Sequence, residues 1–141
     1  MSALRLNFEQ WRTLVQESPE NVADQFLAHL QQLSNNERQT WFAATPSKNQ
    51  LLAALKEDST DDTRPLDGVP YVLQDMFDVI GMPTRCGAPF STPFVAPLED
   101  SCLLHQKLST LGACFFSKTQ PAEFGVDAEG RNPSSGDCKH H

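Results

Sequence analysis

Two short apolar runs with one helical stripe between them constrain this chain most. Tyr71-Val72-Leu73 suits a buried strand, and so does Ala113-Cys114-Phe115-Phe116-Ser117. Between them Leu104, Leu108 and Leu111 recur at helical spacing and predict an inner face. Asp100 is the expected cap of that helix and Gly112 its stop. A strand, a helix and a strand in this order predict a parallel crossover unit in a mixed α/β fold. Turn signals bracket the first strand. Pro65 fixes φ, Gly68 tolerates positive φ, and Gly81-Met82-Pro83 makes a second turn. Pro83, Pro89, Pro93 and Pro97 forbid a long regular element before the helix, and Phe90 and Phe94 would cover apolar surface among the turns. From Gly125 to His141 no apolar period is visible, and the tail reads as irregular.

The chain ahead of Pro65 reads differently. Leu4, Phe8, Trp11 and Val15 lie on one face of a helix over residues 4–17. Ser18-Pro19 breaks it and restarts the next, because serine caps and proline suits the first helical position. Val22, Phe26, Leu30 and Leu33 form the second stripe, which Ser34-Asn35-Asn36 interrupts. A short helix is expected over Glu37–Ala44, burying Trp41 and Phe42. After Thr45-Pro46-Ser47, Leu51, Leu52 and Leu55 mark a fourth. These stripes read first as faces that pack on one another, and alternatively as a surface for a partner helix. Glu57 to Arg64 is acidic and polar, the composition of a linker. It lacks the Gly-centred alternation of a calcium loop. The expected division is therefore a helical region 1–56, a linker 57–64 and an α/β segment 65–141.

Charge and cysteine content narrow the function. A net charge of -7 over 141 residues argues against a nucleic-acid surface and weakly against an anionic membrane. No run approaches the ~20 apolar residues of a membrane span. A cytoplasmic protein is expected, without nucleic-acid or membrane partners. Its four cysteines, Cys86, Cys102, Cys114 and Cys138, are widely spaced and read as thiols. Cys138 with His140 and His141 has metal-ligand residue types, but a structural zinc site needs four ligands, so no metal is assigned. No cofactor is expected either. His29 and His105 fall within helical patterns and need no special role.

The residues around the first strand resemble the amidase signature family. Pro65-Leu66-Asp67-Gly68-Val69-Pro70 and Asp78-Val79-Ile80-Gly81-Met82-Pro83-Thr84 are similar to the family's Pro-Leu-x-Gly-Ile-Pro and Asp-x-x-Gly-x-Pro-Thr. A second block runs from Glu99-Asp100-Ser101-Cys102-Leu103-Leu104 through Gly112-Ala113 to Lys118-Thr119 and Glu123-Phe124. It is similar to Asp-Ala-x-Leu-Val, Gly-Ala, Gly-Lys-Thr-Asn and Glu-Phe. The resemblance covers about residues 65–138, with no match seen in the first 64. It implies an incomplete mixed sheet with a crossover helix behind a helical N-terminal region. It also implies a relation to enzymes that hydrolyse carboxamides with a Ser-Ser-Lys triad, without metal or cofactor.

At the end of the first strand sit Gln74, Asp75 and Asp78, a polar cluster with an amide and no base. The resemblance puts the triad lysine on Gln74. A carboxamide has no useful basicity and cannot take a proton from a hydroxyl. The family's Gly- and Ser-rich nucleophile loop has no counterpart. Ser135 within Asn132-Pro133-Ser134-Ser135-Gly136 lacks the glycines that free backbone donors, and no base is visible near it in sequence. Asn132-Pro133 looks more like the segment just upstream of that loop. Lys118 reads as the family's strand-end lysine rather than a replacement base. The expectation is a truncated, inactive amidase relative with no intact catalytic residue. A small amide would then be a substrate only of longer relatives. The alternative is a non-catalytic interaction module that uses the helical N-terminus or an exposed sheet edge. A third reading has an active amidase completed by a second chain.

Overall fold

The computed structural model describes residues 6–56, 64–89 and 101–137. Leu4, residues 57–63, Phe90, Pro93, Phe94, Pro97, Asp100, Cys138, His140 and His141 lie outside the described residues, as do the expectations placed on them. The described elements run α1 (Phe8–Glu17), α2 (Pro19–Gln32), α3 (Asn35–Trp41), β1 (Phe42–Ala44), α4 (Lys48–Leu55), β2 (Pro70–Gln74), α5 (Leu103–Thr110) and β3 (Cys114–Thr119). A short 3-10 turn follows at Glu123–Gly125.

Local chemistry sets the helix starts. Asn7, Ser34 and Ser47 each accept from the backbone N–H three residues on, and Gln10, Glu37 and Gln50 reach back to close the box. Pro19 opens α2. The third helix departs from expectation at both ends. It starts at Asn35 because Ser34 caps it, and it stops at Trp41. Phe42–Ala44 is a strand rather than helix, since Phe42 pairs with Thr119 and Ala44 with Lys118 across an antiparallel ladder. Pro46 also biases Thr45 toward extended backbone and away from helix.

The sheet order is β1-β3-β2, with β3 in the middle. β2 and β3 run parallel with α5 between them in sequence, so the crossover expectation holds. β3 is buried from Cys114 to Lys118. On one side Cys114 and Phe116 pack with Val15, Val22, Ala23, Leu51 and Leu55. Phe116 meets Phe26 edge-on at 5.0 Å and Trp11 at 6.0 Å. Much of the helical stripes thus packs into a core shared with the strand, while Phe8 stays 44% exposed. Fully burying each such aliphatic side chain contributes roughly 1.5–3 kcal/mol. On the other side Phe115 and Leu73 pack with Val79 and Met82.

Three burial expectations fail. Trp41 and Phe42 are only partly buried. β2 is an edge strand, and of Tyr71, Val72 and Leu73 only Leu73 is buried, while Val72 is 49% exposed. α5 buries no residue, and Leu104 and Leu111, expected on its inner face, are exposed. The stripe shows that a helix forms there, but nothing local dictates which face meets the sheet. Gly112 ends α5 with φ +93°, and a Cβ there would meet the Asp67 backbone at 2.8 Å. This close approach is fixed by Leu66 N–H on Leu111 O at 2.9 Å and Gly68 N–H on Gly112 O at 3.1 Å. It ties the turn before β2 to the turn before β3.

Candidate functional site

The ends of β2 and β3 bring the polar residues together. Tyr71 pairs with Phe115, but Val72 pairs with Ser117, so Phe116 is an extra residue on β3. The bulge inverts the alternation beyond it. Without it, Lys118 would point to the opposite face from Phe115, three residues away. With it, Lys118 stands opposite Leu73, on the face that holds Leu73 and Phe115. Asp75, two residues after Leu73, joins that face.

There Lys118 is caged. Its Nζ lies 2.6 Å from Asp75 Oδ1 and donates to Pro83 O at 2.8 Å and to Thr84 Oγ1 at 2.7 Å. Three oxygens thus meet an ammonium that has three hydrogens. Both charged side chains are buried, at 0% and 1% exposure, as an unpaired charge could not be. Asp75 also binds the loop it faces. Its Oδ2 accepts from Arg85 N–H at 2.9 Å, and its backbone oxygen accepts from Cys86 N–H at 2.9 Å.

Asn132 continues this framework. Buried to 1% exposure, it donates from Nδ2 to Gly87 O at 2.8 Å and Pro121 O at 2.9 Å. Its Oδ1 accepts from Ser134 N–H at 2.9 Å and Ser135 N–H at 3.1 Å. All four hydrogen-bonding positions of the amide are therefore used. Gly87 has φ +78°, and a Cβ there would stand 2.8 Å from Ala122 O, so only glycine allows the two loops to touch. Thr40 Oγ1 donates to Ser135 O at 2.7 Å and anchors the far side of the segment on α3.

Gln74 lies elsewhere. It ends β2 opposite Thr119 and is exposed, on the alternate face from Leu73 and Asp75. Lys118 is thus held on the side of the sheet that Gln74 does not face. Asp78, also noted at this strand end, is exposed, and its backbone oxygen accepts from Cys102 N–H at 2.8 Å. Ser135 is 6% exposed, and its Oγ has no hydrogen-bond partner among the described residues. A surface cavity of about 320 Å³ is lined by residues of α1, α4 and the turn at Arg64–Gly68, and Gln74 is not among them. No disulfide links Cys86, Cys102 or Cys114.

Sequence reasoning named Asp75 and Lys118 separately and missed their pairing. The signal was present: each sits at the C-terminal end of one of two adjacent parallel strands. It likewise missed the clamp role of Asn132, for which residue type and its place before a proline gave no cue.

A three-stranded mixed sheet flanked by helices, with a buried charged pair at its parallel strand ends, defines an α/β chain. The amidase family model matches residues 22–140, and the chain belongs to that family of carboxamide-hydrolysing enzymes. The match reaches back into α2, so the absence of family likeness expected for the first 64 residues is corrected for residues 22–64. The chain is 33% identical over 76 residues to a subunit of the glutamyl-tRNA(Gln) amidotransferase of Akkermansia muciniphila, covering 54% of this chain and 16% of that protein. It superposes on the crystal structure of an amidase with a TM-score of 0.66 and 25% identity, over 94% of this chain and 31% of that one. The Kluyveromyces lactis allophanate hydrolase shares the fold at a TM-score of 0.71 and 24% identity, over 95% and 22% of the two chains. The chain thus spans about one sixth of the curated relative and under a third of the solved ones. No described helix is long and apolar enough to cross a membrane.

Proposed function

We propose that these residues keep the framework of an amidase site and do not themselves cleave a carboxamide. The observation that carries this is the division of the two β2-end residues between two faces. Gln74 stands in the open where the family resemblance puts the triad lysine, and it has no basicity to activate a hydroxyl. Lys118, the lysine nearest to it in the sheet, is engaged by three oxygens on the other face. A base must come within hydrogen-bond reach of its nucleophile. Ser135 Oγ has no such partner among the described residues. Amide hydrolysis also needs a nucleophile and oxyanion donors, and these residues supply no assembled set.

The purified chain, incubated with acetamide or benzamide, is expected to release no ammonia above the buffer rate. Turnover that Ser135→Ala abolishes would overturn the proposal. A second reading has one observation in its favour. Among the described residues β2 is paired on one side only and carries exposed Val72, so a protein partner could add a strand there. Light scattering with and without Val72→Lys tests it. A mass that exceeds the monomer and falls with the charge supports edge pairing, whereas a monomer in both gives self-pairing no support.

A further inference from the structure

We propose that the cleft between α4 and α5 binds a small, uncharged apolar molecule carrying one hydrogen-bond acceptor. The proposal is independent of amide hydrolysis. The cleft measures about 290 Å³, near the lower limit for small-molecule sites and suited to a single ring. Ala53, Val79, Ile80, Met82 and Phe115 supply apolar wall. Ile80 is 48% exposed, so an occupant would cover apolar surface that the protein leaves to water.

Gln50, His105 and Ser109 are the polar side chains among the described lining, and of these the imidazole is held in place by aromatic packing. His105 lines the cleft, and its Nδ1 lies 2.8 Å from the Tyr71 hydroxyl. Ser109 Oγ stands 3.5 Å from the same hydroxyl. Phe115 holds the imidazole edge-on at 5.1 Å and the phenol at 5.6 Å, so the orientation is set by packing. Burial lowers the His105 pKa, which leaves the ring neutral at pH 7, with one donor and one acceptor nitrogen. We assign Tyr71 as the donor to Nδ1, because a phenol O–H is a better donor than a neutral imidazole N–H, which places the ring proton on Nε2. A donor beside an apolar wall selects an acceptor on an otherwise apolar molecule. It gives no advantage to a cation, and among the described lining residues there is no charged side chain to meet an anion.

The test uses the whole 141-residue chain and two probes of one shape, acetophenone and ethylbenzene, followed by NMR. Saturable shifts confined to Ala53, Val79, Ile80, Met82 and the His105 ring are expected, with acetophenone binding roughly three- to tenfold tighter, the worth of one hydrogen bond. His105→Phe should bring the two affinities together. Ala53→Phe, on the exposed side of α4, should abolish both and guards against a His105 variant that fails to fold. Shifts that do not saturate, or that spread over the molecule, would overturn the proposal. So would a preference for acetophenone that survives His105→Phe, or binding that survives Ala53→Phe.

Discussion

Asp75 and Gln74 are neighbours in sequence and opposites in setting. Asp75 is 1% exposed and bound to a lysine, a backbone amide and, through its own carbonyl, the next loop. Gln74 is exposed and faces the other way. A strand sends consecutive residues to opposite faces, so one position can be fixed by the core while the next is open to change. The buried pair cannot lose one member without stranding a charge. The exposed position, where the family resemblance implies a lysine, can carry a glutamine because it lies open on the other face from the buried pair. Architecture and chemistry can therefore part company at adjacent residues.

The largest test of that contrast is Asp75→Ala. Removing one partner of a buried ion pair costs about 3–5 kcal/mol, and a matching fall in urea midpoint is expected. Asn132→Ala should follow at about 2–3 kcal/mol, since it leaves two carbonyls and two amides of the joined loops without their buried partner. Protease sensitivity near residues 132–137 would rise with it. An unchanged midpoint in either variant would mean the closed face is not what holds these loops.

His105 gives a smaller effect with a definite sign. Burial depresses its pKa in the folded state, so the unfolded chain binds the proton more readily. Stability then rises with pH across this window. The contribution is fully present above about 6.5, the unperturbed value, and is lost as pH falls from there through the depressed folded value. Melting temperatures of the parent and His105→Phe, compared across that range, should differ in slope. Parallel curves would remove the effect. Smallest of all is Gln74→Lys, an exposed change expected to shift stability by less than about 0.5 kcal/mol. A large shift there would erase the contrast between the two neighbours.

Much of the helical half was legible because its signals are local. Pro19 and Ser47 act within one turn, and so does Gly112 after α5, whereas Ser18 sits at the start of α2 without the side-chain cap bond expected of it. The crossover unit was legible for a related reason, since two apolar runs around one helical stripe admit few topologies. Where the reading failed, a distant partner decided. Trp41 and Phe42 look alike to a helical pattern, yet β3 claims Phe42–Ala44 for its ladder. Leu104 and Leu111 satisfy the spacing of an inner face, yet α5 leaves them exposed, with His105 and Ser109 lining its cleft instead.

The sequence by itself determined the order of elements, the turns between them and the presence of a neutral amide at position 74, because propensity, capping and residue identity are properties of short stretches. Only the tertiary structure decided the facing of Lys118. That depends on one extra residue in β3 measured against β2, and register between strands some forty residues apart has no local signature.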